Sequence, residues 1–205
     1  EQMNEEQEYY KVKNAKFLLS APTLALTPKE ESLEVVFVGR SNVGKSSLLN
    51  SLTIRNGLAK SSSTPGKTRL INFFEIDLLK AGQTFTMRFV DLPGFGYAKV
   101  SKSEKLDWEK NLTDFLLNRK SITLFIQLID ARHENLKNDQ EVTAFLESVL
   151  QPNQQIIRVF TKTDKLKQNE LAKKRRDNPN AFFISNLKKR GIDKLREEIA
   201  KALFE

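Results

Sequence analysis

Eight residues, Gly39-Arg40-Ser41-Asn42-Val43-Gly44-Lys45-Ser46, carry the spacing G-x-x-x-x-G-K-S. Set between a strand and a helix, that spacing suits phosphate binding. The glycines let the backbone wrap an anion, so that successive N–H groups and a helix N-terminus face its charge. Lys45 can reach β- and γ-phosphates as a mobile cation, and the Ser46 hydroxyl can ligate Mg²⁺. The cradle is expected to run on to Ser47. Without its surroundings the same octet is a glycine turn with an exposed lysine, and the flanking elements favour the phosphate reading.

A second stretch, Asp91-Leu92-Pro93-Gly94, is ordinary turn chemistry in isolation. Beside a phosphate loop it gains a purpose: Asp91 would hold Mg²⁺ through water, and the Gly94 N–H would touch a γ-phosphate. The next residue is Phe95, where a glutamine could orient water and a phenyl ring cannot. Between the first helix and the following strand, Gly66-Lys67-Thr68-Arg69-Leu70 is expected to contact the nucleotide. Thr68, immediately before the strand, is preferred over Thr64 as the residue that ligates Mg²⁺ and grips the γ-phosphate. Lys45, Thr68, Gly94 and Asn42 form the expected catalytic set.

The base is read from Thr161-Lys162-Thr163-Asp164. A carboxylate accepts both the ring N–H and the exocyclic amine of guanine, whereas adenine presents an acceptor there. Buried mismatches of that kind discriminate by ~10⁴–10⁵. Lys162 would lay its stem along the base. Thr161 stands where asparagine is usual. Ser185-Asn186 is where a main-chain contact to the guanine oxygen is expected, with capping of the last helix as the other reading of Asn186.

These residues need elements to hold them. Residues 34–38, 69–78, 84–90, 122–129, 156–160 and 181–184 read as strands. Residues 45–52, 103–117, 140–150, 166–176 and 192–204 read as helices. Ala81-Gly82 joins two of the strands as an antiparallel hairpin. Strands alternating with helices imply an α/β fold: a mostly parallel six-stranded sheet with one antiparallel strand and helices on both faces. Each motif falls at a strand end, where such sheets bind ligands. Residues 1–30 read as an N-terminal extension and residues 31–205 as one domain.

The chain of 205 residues has no cysteine and one histidine, which excludes disulfide scaffolds, thiol redox chemistry and Cys/His zinc sites. The lone His133 reads as structural. Trp108 and the pairs Phe73-Phe74 and Phe182-Phe183 read as core. The absence of cysteine agrees with a reducing cytoplasm. No apolar run suits a membrane, and the first ten residues carry four glutamates, unlike a secretory signal. The net charge of +8 is uneven: residues 161–205 hold 13 Lys and Arg against 7 Asp and Glu. This basic end, with Lys173–Asp177 and Lys188–Lys194, suits a polyanion, the alternative being solvated helix ends.

Taken in order, GRSNVGKSSLLNSL, TPGKTRLINFF, DLPGFGYAKV, TKTDKL and SNLKKRGIDKL resemble the EngB (YihA/YsxC) family of bacterial GTPases, which assist assembly of the large ribosomal subunit. The likeness spans about residues 13–203. It implies a Ras-like P-loop G domain without a second domain, a monomer that binds GTP/GDP and Mg²⁺ and works in the cytoplasm. It also implies, as partner, a precursor of the large ribosomal subunit with its rRNA and ribosomal proteins. Asn42 stands where GTPases activated by K⁺ carry an asparagine. The acidic first decapeptide and Asn186 depart from the family pattern.

Overall fold

Strand β2 (Leu33–Gly39) sets the architecture, because its alternate side chains are buried on opposite faces of the sheet. Val35 and Phe37 point into one apolar core, and Val36 and Val38 into another. A strand covered on both sides must be central, and continuous apolar sequence such as Val35–Val38 is how that reads. The computed structural model describes residues 9–60, 70–94, 101–133 and 136–205.

The elements follow as β1 (Lys11–Ala21), β2, α1 (Lys45–Thr53), β3 (Ile71–Lys80), β4 (Gln83–Asp91), α2 (Lys102–Asn118) and β5 (Ile122–Asp130). Then come α3 (Lys137–Val149), β6 (Gln155–Thr161), α4 (Gln168–Asp177), β7 (Phe182–Phe183) and α5 (Ile192–Phe204). The strands form one sheet in the order β1-β3-β4-β2-β5-β6-β7. Pairs β4–β2–β5–β6–β7 are parallel, while β3 is antiparallel to both its neighbours. One strand therefore runs against all the others. Helices α1 and α5 cover the Val35/Phe37 face through Leu48, Leu52, Leu195 and Ile199. Helices α2 and α3 cover the other through Leu112, Leu116, Val142 and Leu146.

The sheet has seven strands rather than six. The additional one, β1, lies within the stretch read from sequence as an extension. It pairs antiparallel with β3 from Lys11↔Leu79 to Ala21↔Ile71, with register shifts between Val12 and Asn14 and between Phe17 and Leu19. Each irregularity breaks the two-residue alternation by which a strand is recognised. Along α2, Leu112, Phe115 and Leu116 are buried while Leu106, nearer the helix N-terminus, is exposed. The hairpin turn is as read, with Ala81 at φ 50° and Gly82 at φ 79°, a two-residue turn needing positive φ at both positions.

A buried ion pair anchors the start of β2. Glu34 is fully buried and takes the Arg119 guanidinium bidentately, Nε to Oε1 at 2.6 Å and Nη2 to Oε2 at 2.8 Å. Arg119 also donates to the Pro28 carbonyl at 2.7 Å, and Arg88 donates to the Lys29 carbonyl. The connection from β1 to β2 is thereby fastened to the sheet end remote from Gly39. Bidentate pairing satisfies charges that would be costly to bury singly.

Candidate nucleotide site

At the C-terminal ends of β2 and β4 the chain opens into a cleft of about 380 Å³. Its walls include Arg40, Ser41, Asn42, Gly44, Lys45, Ser46 and Ser47, together with Asp91–Gly94, Leu70 and Lys162. Two residues not singled out from sequence, Lys60 and Asn72, line it as well. Asn72 could have been found, since it pairs across the hairpin with Asp91 and is the polar residue in Ile-Asn-Phe-Phe.

The loop from β2 to α1 keeps its shape through backbone that only certain residues allow. A Cβ on Gly39 would meet the Val43 side chain at 2.8 Å, and Gly44 sits at φ 99° as the residue before α1. Asn42 is left-handed at φ 64°, a conformation asparagine tolerates better than most. The Asp91 loop packs directly on this one, for a Cβ on Gly94 would lie 3.1 Å from the Ser41 nitrogen. Lys45 is ion-paired with Asp91 at 2.7 Å and donates to the Leu92 carbonyl. The ammonium thus sits between the two motifs.

The strand-end motif after β6 is wired to the same loop. Thr161, fully buried, donates from its hydroxyl to the Val43 carbonyl at 2.7 Å. Lys162, left-handed at φ 59°, donates to the Asn42 carbonyl at 2.6 Å and lies 3.4 Å from Asp130. Burial works against ionising Asp130, but the hydrogen bonds from Arg132 and the nearby Lys162 outweigh it and hold the carboxyl down to about 2. Thr163 caps the Ile184 carbonyl with both its N–H, at 3.2 Å, and its hydroxyl, at 2.9 Å. That brings Asp164 beside the loop after β7, where the Ser185 hydroxyl donates to its carboxylate at 2.7 Å. This hydrogen bond is the first cause of a carboxyl held below its ordinary range.

Asn186 reaches back to the phosphate loop, its amide donating to the Gly44 carbonyl at 3.4 Å while its Oδ1 is buried without a hydrogen-bond partner. It does not cap α5, whose N-cap is Gly191 at φ 76°. Gly66, Lys67, Thr68, Arg69 and Phe95 lie outside the described residues. The other site residues named from the sequence come from the four loops after β2, β4, β6 and β7, with Leu70 entering the cleft from just before β3.

A family model described as 50S ribosome-binding GTPase matches residues 34–162. The probable GTP-binding protein EngB of Campylobacter lari is 56% identical over 186 residues, covering 91% of this chain and 94% of that protein. The chain belongs to the EngB family of GTP-binding proteins. Its fold is similar to that of a solved probable GTP-binding protein EngB, at TM-score 0.55 and 22% identity over 83% of this chain and 98% of the other. It is also similar to Era solved with MgGDPNP and nucleotides 1506–1542 of 16S ribosomal RNA. That match has TM-score 0.59 and 26% identity, covering 85% of this chain and 57% of Era. Family membership supports GTP binding and hydrolysis. Among the described residues, no helix is long and apolar enough to cross a membrane.

Proposed function

We propose that this chain is a Mg²⁺-dependent GTPase of slow intrinsic turnover that assists assembly of the large ribosomal subunit. Its GTP form docks on a subunit precursor in the cytoplasm as a monomer, and hydrolysis releases it. The observation that carries the reading is the wiring of the phosphate loop to the guanine motif, Thr161 to Val43 and Lys162 to Asn42, in a chain matched by a 50S ribosome-binding GTPase model. We read residues 31–205 as one G domain, with β1 as an added edge strand.

In this mechanism the N–H groups of residues 39–47 hold the α- and β-phosphates, and Lys45 leaves Asp91 to neutralise the β- and γ-oxygens. The Gly94 N–H contacts the γ-phosphate. Asp164 accepts from guanine, and its carboxylate is oriented by Ser185. The Asp91 carboxylate and Ser46 hydroxyl suit a hard cation: both are oxygen donors in the cleft, and Asp91 Oδ1 is buried with no aligned hydrogen bond beyond its ion pair. Thr68 completes this set. A Mg²⁺ ion held by these oxygens would supply charge neutralisation at the phosphates.

Phe95 favours a second reading, a nucleotide-regulated ribosome-binding protein with negligible hydrolysis. Sedimentation with large-subunit particles in GTP and in GDP, paired with single-turnover hydrolysis with and without particles, tests both. GTP-dependent co-sedimentation with measurable turnover supports the proposal. Co-sedimentation without turnover favours the second reading, and no co-sedimentation in either nucleotide removes the ribosome from both.

A further inference from the structure

Strand β7 ends the sheet, and its two rings carry cations on opposite faces. Phe183 stacks on Phe160 at 5.1 Å and has the Arg175 guanidinium 5.6 Å from its ring. Phe182 packs towards α1 and α5 and has the Lys194 ammonium 6.0 Å away. Helix α4 and the start of α5 therefore flank one sheet edge. Helix α4 has no buried residue, and Lys173, Arg175 and Arg176 are exposed on it. Such a helix cannot be explained by an apolar face seeking a core.

Beyond β7 runs the turn 185–191, closed by two backbone hydrogen bonds between Ser185 and Arg190, with Lys189 at φ 52°. Lys188, Lys189 and Arg190 all project into solvent. From Lys165 to Lys194 the chain carries ten Lys and Arg against three Asp and Glu. The only large apolar side chain strongly exposed in this stretch is Leu187. Protein interfaces need an apolar centre, whereas a phosphate backbone needs only spaced cations, so the surface fits nucleic acid.

The turn is also part of the guanine site. Ser185 is fully buried; its hydroxyl accepts from the Lys188 N–H at 3.0 Å and donates to Asp164 at 2.7 Å. Lys165 and Lys188 add to the effects that keep Asp164 ionised. A phosphate held by Lys188 or Arg190 thus fastens the backbone on which the guanine-reading carboxylate depends.

We propose that α4 and the 185–191 turn form a docking surface for the phosphate backbone of folded RNA, and that docking there slows release of guanine nucleotide through Ser185. The inference rests on the ribosomal reading above and adds its surface and its regulation. Coupling is reciprocal: nucleotide must tighten RNA docking by the factor by which RNA tightens nucleotide.

The test uses the full chain and purified large-subunit ribosomal RNA, with polyglutamate as a competing acidic polymer. Release of fluorescent GDP should slow about fivefold on saturation with RNA, the low end of ordinary coupling. The triple change Lys173→Glu, Arg175→Glu, Arg176→Glu, and separately the pair Lys189→Gln, Arg190→Gln, should weaken RNA binding and flatten its salt slope by roughly 0.7 per lost phosphate contact. Intact GDP binding and an unchanged melting temperature establish that these variants fold. Ser185→Ala should still bind RNA yet lose the effect of RNA on GDP release. Unchanged RNA affinity in both surface variants, equal displacement by polyglutamate, or a GDP release rate indifferent to RNA would each overturn the proposal. RNA binding at this surface together with failure to co-sediment with subunit particles leaves the surface standing and removes the ribosomal reading.

Discussion

The Thr161 hydroxyl donates to the main-chain carbonyl of Val43 across 2.7 Å, joining the end of β6 to the middle of the phosphate loop. One short hydroxyl thereby ties the strand-end motif after β6 to the glycine loop after β2. Thr161 is fully buried, so Thr161→Val keeps the shape and leaves the Val43 carbonyl without that donor. An unmet buried acceptor costs about 1–3 kcal/mol. Because the loop is held in left-handed turns at Asn42 and Gly44, the loss should fall on its preorganisation. GDP affinity is expected to drop by about tenfold, with Thr161→Ser retaining most of it; titration calorimetry on the three proteins measures the difference.

Asp164 gives the second prediction. Asp164→Asn should turn preference from GDP towards XDP, since the amide offers a donor to the xanthine oxygen; an unchanged GDP/XDP ratio would contradict the guanine assignment. The pH dependence has a definite sign. Ser185 lowers the carboxyl of Asp164, so the ionised form that binds guanine persists below its ordinary range and is lost only as pH falls through the lowered value. GDP affinity should therefore stay flat from neutral into mild acid. In Ser185→Ala the decline should begin at higher pH, which equilibrium fluorescence titrations across pH 4–8 would detect.

The phosphate loop, the Asp91 loop and the base motif were legible because each pairs a fixed residue spacing with a strand end. Positive φ at Asn42 and Gly44 and the approach of Gly94 to Ser41 are the physical content of that spacing. Strand β1 was not legible, since Lys11, Lys13 and Lys16 and two bulges hide its alternation, and its partner β3 lies some fifty residues on. Lys60 escaped for another reason: what makes it a cleft residue is proximity across the fold, which no local pattern records. The Glu34–Arg119 pair was equally hidden, because charged residues read as surface until their partners are known.

That ion pair supports a third prediction, on stability. Arg119→Met leaves the buried Glu34 carboxylate with only the Ser121 hydroxyl at 2.6 Å and the Arg88 guanidinium at 3.9 Å, which should destabilise the fold by up to about 3–5 kcal/mol in urea denaturation. The double change Glu34→Leu, Arg119→Met removes both charges and should recover most of the loss. Glu34 lies at the start of β2 and Arg119 closes α2 beside it, at the sheet end away from Gly39, so GDP affinity of the folded protein should be that of the parent. A double variant no more stable than the single one would show that the pair is wanted for its hydrogen bonds to Thr27 and Pro28 rather than for its charge balance.

The last prediction concerns the catalytic charge that Phe95 cannot supply. Intrinsic turnover in such enzymes is slow, ~10⁻⁴–10⁻² per second, and added positive charge at the γ-phosphate can raise it by ~10³–10⁵. A K⁺ ion held against the β- and γ-phosphates by the Asn42 side-chain oxygen would stabilise developing charge as an arginine does. Asn42 lines the cleft, and its own carbonyl is taken by Lys162, leaving the side chain as its contribution to a ligand. Its φ of 64° offers a competing reason for asparagine at this position, which has nothing to do with K⁺. Two variants separate the reasons. Asn42→Gly keeps the left-handed backbone at no steric cost and removes the amide, whereas Asn42→Ala removes the amide and adds strain. GTP turnover is expected to be faster in KCl than in NaCl at equal ionic strength, and to lose that preference in both variants, alone and with large-subunit particles. Retention of the K⁺ effect in Asn42→Gly with loss in Asn42→Ala would assign the residue to loop conformation alone. Equal parental rates in both salts would instead leave a residue supplied by the docked particle as the source of the missing charge.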